Sequence, residues 1–440
     1  MTKKGMILDE RLCKAAVDAA LSAVKVDDML VSLHGQRKRH LRFARNGVTT
    51  AGDIDEVTGS ITCVVGTKHA TVQVKDLDQR TLRDAAIRAK QSAELCPDDP
   101  ELVPFPGAAK VRPVPAAFVE KTALLTAQQI ADAVHPAIAE AKSRNLQAAG
   151  FLELSTATSA VATKAGFFAT HAATHADFSM TARTPDGTGS GWAGRAGESL
   201  AELNIGKLGL TACDKAERSR SPRGLAPGHY PVVLEAAATQ ELFDQMGGFF
   251  DQRAADEGAS PFSAADGKTK IGESLFGQLT VYADPFDKAT PSAPFDGEGT
   301  PRQRQVYVEN GVLKSLHVSR YWAKKTGKQA TAAPGALVAR GASVDGDLVK
   351  GLDRGLLITR LWYCNVVDPK TMTLTGLTRD GVFWVEGGHI VDSVNNFRFN
   401  QSLLSLFANT EAYGPSDRLN GMMPSLRCSE FFMSTRSDAV

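Results

Sequence analysis

The sequence has no marked excess of either charge. Its 50 Lys and Arg residues nearly cancel 49 Asp and Glu residues. A chain that binds nucleic acid usually has a basic excess or a basic stripe, because the phosphate backbone dominates that affinity. The one local basic cluster, from Arg37 to His40, stands between two strand-like runs, and a solvated strand edge is its simplest interpretation. Nucleic acid is therefore an unlikely partner.

Cysteine is sparse, and long apolar runs are missing. The six cysteines form no CxxC pair, which is typical of a chain kept in a reducing compartment. The N-terminal stretch MTKKGMILDERL is charged and lacks the apolar segment of a signal peptide. No apolar run approaches the roughly 20 residues that a membrane helix needs. The sequence therefore predicts a cytoplasmic protein without a membrane segment.

The length of 440 residues and a hydrophobic content of 43% suggest two or three structural units. Residues 1–115 form the first predicted unit, which has a helix, four strands, a second helix over 79–95 and a proline-rich connector. Residues 116–225 form a middle helix-strand segment. Its first helix begins at Thr126, which forms a capping box with Gln129, and a second helix is expected over 198–218.

Residues 226–440 form the third predicted unit, which is rich in strands. Two hairpins are indicated by Asn310-Gly311 and Gly387-Gly388, because both pairs tolerate the positive φ angles of tight turns. The predicted fold class is α+β, with an N-terminal helix and antiparallel-sheet domain, the middle segment and a β-rich C-terminal domain.

Two local sequence patterns match those of binding sites, but each also has a simpler structural explanation. The glycines from Gly189 to Gly194 match GxGxxG, but the preceding Asp186-Gly187 favours a turn in an antiparallel sheet over a nucleotide site. His171 and His175 are four residues apart, so a strand or a helix would place both on one face. With a third ligand they could hold a metal, although an alternating strand with a wet face explains them equally simply.

The third unit carries the most specific signal. The run from Phe295 to Pro301 (FDGEGTP) leads into VENGVLK, which ends at Lys314. It is preceded by the strand-like YPVVL that ends at Leu234, and followed by GVFWVEGGHI and the C-terminal PSLR. In this order the chain resembles the TldD/PmbA family, which is peptidase U62-like and has also been called "modulator of DNA gyrase". The resemblance covers most of the chain.

The resemblance implies two kinds of member. TldD-type chains are similar to zinc peptidases with HExxxH on the helix after the VVL strand. PmbA-type chains, also called TldE, keep the fold without that motif. They pair with a TldD-type chain in a protease for unstructured peptides.

Counted from Leu234, the two metal histidines of the family fall on Asp244 and Phe249 here, and the general-base glutamate falls on Gln245. HExxxH thus stands as DQMGGF in this chain. The family's cysteine falls near residues 413–417, where no cysteine stands. The resemblance therefore places the chain closest to the PmbA/TldE type. It implies no catalytic residue and no metal in this chain, with zinc expected only in a TldD-type partner.

Carboxylates near this helix offer a weaker alternative. Glu241 and Asp244 are three residues apart and share a helix face, and Asp251, Asp256 and Glu257 follow. Hard cations take oxygen ligands, so a weak metal or polar cluster of Glu241, Asp244, His171 and His175 stays open beside a plain solvated face.

Two main functional interpretations follow. The first is a non-catalytic scaffold or partner subunit, in a homodimer or in a heterodimer with a TldD-type chain, that admits extended peptides. The second is an active peptidase with a non-standard metal site. A modulator of DNA gyrase is a third and weaker alternative, because the near-neutral charge argues against direct contact with DNA.

Overall fold

The computed structural model describes residues 4–342 and 347–437. Residues 1–3 and 438–440, at the ends of the first and third predicted units, lie outside this range, as do residues 343–346. The described chain has the predicted α+β fold class, and its strands form two large sheets. Among the described residues, no helix is both long enough and apolar enough to cross a membrane.

The helices are α1 (Glu10–Leu21), α2 (Gln79–Leu95), α3 (Glu120–Ala123), α4 (Ala127–Ser143), α5 (Leu200–Leu203), α6 (Ile205–Arg218), α7 (Ala236–Met246), α8 (Gln252–Asp256), α9 (Arg320–Thr326) and α10 (Leu403–Ala408). The first six strands are β1 (Asp28–Ala44), β2 (Gly47–Val65), β3 (Lys68–Val74), β4 (Gln147–Thr163), β5 (Phe168–Arg183) and β6 (Ser190–Gly197). The later strands are β7 (Gly228–Leu234), β8 (Thr280–Ala283), β9 (Gln305–Glu309), β10 (Val312–Leu313), β11 (Leu337–Arg340), β12 (Arg354–Ile358), β13 (Leu361–Asp368), β14 (Thr373–Thr378), β15 (Val382–Glu386), β16 (His389–Ser393), β17 (Asn396–Ser402), β18 (Thr410–Arg418) and β19 (Met422–Ser437).

The first six strands form one antiparallel sheet in the order β3-β2-β1-β4-β5-β6. The prediction of four strands between α1 and α2 is wrong, because two short runs merge into the single 17-residue strand β1. The sheet joins strands of the first and middle predicted units, and the domain boundaries at 115 and 225 stay predictions. Alternate residues of β5 bury their side chains against α4 and α6, which is the period of two that a strand imposes.

The basic cluster lies inside β1, which has a neighbour on both sides, so its interpretation as a strand edge is wrong. Arg37 pairs with Asp53 at 2.5 Å, and Lys38 lies 3.5 Å from Glu153. The Arg39 guanidinium is buried and donates to the carbonyls of Thr122, at 3.0 Å, and of Ala123, at 3.2 Å. These basic groups are thus occupied within the fold.

The predicted helix features of the middle segment are largely present. The capping box of Thr126 and Gln129 is confirmed at the start of α4. The helix expected over 198–218 is divided into α5 and α6 by Asn204, which has a left-handed φ of 47°. The structure thus confirms the capped start and divides the second helix.

The remaining strands form a mixed sheet of 13 strands. Both predicted hairpins are confirmed: β9 and β10 flank Asn310 and Gly311, with φ of 47° and 83°, and β15 and β16 flank Gly387 and Gly388. The main apolar core of the chain packs between this sheet and α7.

Candidate functional site

The helix on which the family's zinc motif falls is α7, and the mixed sheet holds it firmly. Its preceding strand β7 lies between β12, to which it is parallel, and β19, to which it is antiparallel. Leu242, Phe243 and Met246 bury their side chains in the main core. Thr239 Oγ1 is buried and donates to the Pro424 carbonyl at 2.6 Å. The outer face of α7 is therefore presented in one fixed orientation.

Asp244 is exposed on that outer face, and both of its carboxylate oxygens have partners. One oxygen accepts a hydrogen bond from Gln240 Nε2 at 2.6 Å, and the other accepts one from Asn420 Nδ2 at 2.9 Å. Gln240 Oε1 in turn accepts from the backbone N–H of Gly421 at 3.1 Å. The carboxylate thus ties α7 to the turn between β18 and β19.

The residues at the positions of the zinc motif do not fit a zinc ion. A catalytic zinc usually has three protein ligands with lone pairs, such as imidazole, thiolate or carboxylate. Phe249 has no lone pair and packs against the main core, and Gln245 carries an amide that cannot take a proton from a metal-bound water as a carboxylate can. Asp244 alone, already bonded to two amides, is not a metal site.

Glu241 differs from Asp244, although both side chains leave the same helix. Its side chain is half-buried, and burial raises the pKa of its carboxyl, with the nearby Asp244 charge adding to the rise and Arg360 opposing it. The interpretation of a solvated face therefore holds for Asp244 and is wrong for Glu241. A buried carboxyl beside an arginine is a polar contact of the interior.

The three later carboxylates each serve a separate local contact. Asp251 caps α8 by accepting from the Ala254 N–H at 2.7 Å. Asp256 accepts from Trp322 Nε1 at 2.7 Å, and Glu257 pairs with Arg253 at 3.1 Å. They do not converge with Asp244.

His171 and His175 both lie on β5, as the spacing predicts for a strand, and both are partly buried. Burial lowers the pKa of His175; Arg418 lowers it further, and Glu153 opposes the change. The charges that act on Glu241 are different ones, so His175 and the α7 carboxylates lie in separate surroundings. Within residues 4–342 and 347–437, no group of three or more His, Cys, Asp or Glu side chains is placed to hold a metal ion.

The cysteines near the site are structural. Cys428 is buried on β19, and burial raises the pKa of its thiol to about 11. Cys364 lies on β13 beside α7; burial, with smaller effects of Glu241 and Asp244, raises its pKa to about 12. A nucleophilic cysteine needs the opposite shift, because the thiolate is the reactive form.

The glycine-rich stretch 189–194 lies on β6 in an antiparallel sheet and has no parallel strand before it, which agrees with the turn interpretation. A Cβ placed at Gly191 would lie 2.3 Å from the Ala212 carbonyl oxygen, so this glycine lets α6 pack closely on β6. Gly248 is different: it is exposed, and no atom lies within 4 Å of an added Cβ. In the single chain, therefore, nothing packs closely against Gly248.

One cluster beside α7 is not evident from the sequence. Asp380, almost fully buried, accepts from Ser190 Oγ at 2.6 Å and from Arg360 Nη1 at 2.9 Å. The Arg360 guanidinium also lies over the Trp192 ring, 4.5 Å from its centre. The sequence signal is limited to the Asp380-Gly381 turn pair, because Ser190 and Trp192 come from the other sheet and Arg360 from a separate connection.

The fold and the site together define a protein with a peptidase-type scaffold whose site helix carries no zinc ligands. Residues 114–220 match the model of the PmbA/TldA metallopeptidase central domain, and residues 227–435 match that of the C-terminal domain. The chain belongs to the PmbA/TldD family.

Among curated proteins, "Metalloprotease PmbA" of Escherichia coli O157:H7 is 26% identical over 232 residues. This match covers 50% of this chain and 48% of the E. coli protein, so the chain matches about half the length of this relative. A PmbA homolog of Buchnera aphidicola is 30% identical over 143 residues, which is 31% of each chain.

Solved structures match over nearly the whole chain. TldE from Thermococcus kodakarensis has a TM-score of 0.84 at 18% identity, covering 96% of this chain and 99% of its own. A protein of Thermotoga maritima described as a modulator of a DNA gyrase has a TM-score of 0.83 at 19% identity, covering 96% and 100%. At these identities the likeness shows the fold alone.

Proposed function

We propose that this chain is a non-catalytic subunit of a cytoplasmic proteolytic complex that acts on unstructured peptides, with the zinc site in a TldD-type partner chain. The observation that carries the proposal is the donor set on α7. A zinc peptidase of this family needs two imidazoles and a general base on this helix. The imidazole positions are occupied here by Asp244 and Phe249, and the position of the general base by Gln245. The surrounding scaffold is nevertheless complete, including the β7 strand, the α7 helix and the FDGEGTP hairpin.

A retained scaffold has a use in such a complex if it presents extended peptides to the partner. The described part of β13 pairs only with β14, so its other edge is open. Trp362, Tyr363 and Val367 are exposed on this strand, and the strand lies against α7. An open edge with apolar side chains is suited to the addition of a peptide as a further strand.

The experiment is co-expression of this chain with a chain that carries HExxxH, followed by co-purification. We expect the two chains to associate and the complex to cleave an unstructured peptide, with cleavage abolished by a chelator. Each chain is also assayed alone for zinc content and for cleavage. Stoichiometric zinc in this chain alone, or chelator-sensitive cleavage by it alone, would contradict the proposal and favour a non-standard metal site.

The state of association is the second outcome of the same experiment. Sedimentation analysis of this chain alone and of the mixture separates a homodimer from a heterodimer. A homodimer that does not exchange with the HExxxH chain would also contradict the proposed role.

A further inference from the structure

A cavity of about 690 Å³ has no residue of α7 in its lining and is distinct from the site described above. The lining includes the chain around Thr300, Arg302 and Tyr307, together with the segment 328–335. Much of the lining is apolar, including Leu316 and several alanine and proline side chains. A cavity of this size, apolar with a few polar groups, is typical of a site for a small ligand.

The charge of the lining is strongly one-sided. Arg302, Arg304, Lys314 and Lys328 line the cavity, against a single carboxylate, that of Asp284. Lys314 and Lys328 already pair with Glu309 and Asp256. Within the described residues, neither Arg302 nor Arg304 has a carboxylate at ion-pair distance, so two positive charges are left without a counter-ion.

Arg302 is the more deeply placed of the two. Its Nε donates to the Ala333 carbonyl at 2.8 Å and its Nη1 donates to the Ala293 carbonyl at 3.1 Å, which fixes the plane of the guanidinium. The nearest carboxyl group that acts on it, that of Asp296, is occupied by the backbone N–H groups of Glu298, Thr300 and Ala333. Burial lowers the pKa of Arg302, as expected for a cation that lacks a partner.

Two residues of the lining, Thr300 and Tyr307, carry hydroxyl groups, but these do not face the cavity. Both hydroxyl oxygens are buried, and neither has a hydrogen-bond partner among the described residues. A ligand in the cavity therefore does not reach them. Arg302 and Arg304 are the lining groups that offer an anion a positive charge without a counter-ion.

We propose that this cavity binds a carboxylate attached to a short apolar body, with the carboxylate held by the guanidinium groups of Arg302 and Arg304. A carboxylate has acceptors only and matches the planar guanidinium, while the apolar lining accommodates the rest of the ligand. The C-terminus of an apolar peptide and a small organic acid share this chemistry. The proposal does not depend on the role of the chain as a partner subunit.

The test is calorimetric titration of the full chain with four probes. They are N-acetyl-trialanine as the free acid, the same peptide as its C-terminal amide, octanoate, and inorganic phosphate. We expect the free acid or octanoate to bind and the amide to bind at least about tenfold more weakly, because a charge-assisted bond is lost. Binding of the peptide acid identifies a peptide terminus as the source, and binding of octanoate alone identifies a small acid.

Variants locate the binding in the cavity. Arg302→Gln should weaken binding of the carboxylate probe by about 10- to 100-fold, whereas Arg398→Gln, on the exposed face of β17, should not change it. Because Arg302 also holds two loop carbonyls, Arg304→Gln is the second variant. It removes an exposed cation of the lining that has no ion-pair partner among the described residues, so it should leave the melting temperature unchanged and still weaken binding about 3- to 10-fold.

The proposal is overturned if no carboxylate probe binds, if the amide binds as tightly as the acid, or if neither Arg302→Gln nor Arg304→Gln alters binding. Phosphate binding as tightly as both carboxylate probes would also overturn it, because the apolar body would then contribute nothing.

Discussion

The buried carboxylate of Asp380 accepts a hydrogen bond from Arg360 at 2.9 Å, and its second oxygen accepts one from Ser190 at 2.6 Å. Ser190 begins β6 in the first sheet, whereas Arg360 and Asp380 belong to the connections of the second sheet. One carboxylate therefore joins the two sheets beside α7. Arg360 is also one of the two charges that act on Glu241 of α7, beside that of Asp244.

The first prediction concerns that carboxylate. Asp380→Asn keeps the shape and the left-handed backbone at φ 57°, which Asn tolerates, and removes the charge. We expect the free energy of unfolding to fall by about 3 kcal/mol, because breaking a buried pair leaves the Arg360 charge without its partner. Denaturant unfolding followed by circular dichroism measures this change.

The matched control is Asp392→Asn. Asp392 pairs with Arg223 at 2.9 Å, but both side chains are nearly half exposed. An exposed pair contributes about 0–1 kcal/mol, so this variant should be nearly neutral. Equal effects of the two substitutions would show that the Asp380 contact does not hold the sheets together.

The second prediction concerns Asp244. Asp244→Ala removes hydrogen bonds to Gln240 and Asn420 and should cost about 1 kcal/mol of stability, because the carboxylate is exposed. Peptide cleavage by the complex with an HExxxH chain should be unchanged. If cleavage is lost while the variant folds and assembles normally, Asp244 takes part in the chemistry and the non-catalytic role is wrong.

Local signals predicted the elements whose determinants lie within a few residues. The capping box at Thr126 and the turns at Asn310-Gly311 and Gly387-Gly388 act through the chain's own backbone, so the sequence alone indicates them. The sequence pattern divides the 17-residue strand β1 into two shorter strands, because the basic residues at its centre suggest exposure. Those residues are tolerated because Asp53, Glu153 and several carbonyls come from other elements.

The candidate site likewise has one feature that the residue types predict and others that depend on distant parts of the chain. The absence of zinc ligands at the motif positions follows from the residue types alone, so it does not depend on how the chain folds. The half-buried Glu241 was not predictable, because its burial depends on β13 and on Arg360, more than a hundred residues away. The same is true of the Arg302 cavity, whose walls combine chain segments that share no pattern.

The third prediction concerns the pH dependence of stability through Asp177. Burial, with the Glu153 charge as the second cause, raises the pKa of its carboxyl from the ordinary 3.8 to about 6. The folded state therefore holds a proton that the unfolded state releases, and stability is lost as the pH rises from about 4 to about 6. Asp177→Asn should stabilise the chain by up to about 3 kcal/mol above pH 6, and the gain should vanish below pH 4.

Unfolding in urea at pH 4 and at pH 8 measures this difference. Asp186→Asn provides a control of opposite sign, because hydrogen bonds from Thr184 and Thr188 lower the pKa of Asp186. That carboxylate stabilises the folded state above its unfolded pKa, so its loss should matter more at pH 8 than at low pH. A gain from Asp177→Asn that is independent of pH would contradict the assignment.

The last prediction compares two glycines with opposite surroundings. A Cβ at Gly191 would lie 2.3 Å from the Ala212 carbonyl oxygen and 2.4 Å from the Ala216 nitrogen, both backbone atoms of α6. Gly191→Ala should therefore push α6 away from β6 and cost about 1–3 kcal/mol, as overpacking does. In the single chain no atom lies within 4 Å of a Cβ at Gly248, so the melting temperature of the Gly248→Val variant should stay close to that of the wild type.

Co-purification with a partner chain is a second, separate measurement on the Gly248→Val variant. If Gly248→Val keeps its stability but no longer co-purifies with an HExxxH chain, the open space beside α7 is the place where the partner packs. If it assembles normally, the partner does not reach Gly248, and the contact between the chains must lie elsewhere, with the exposed edge of β13 as the next surface to substitute.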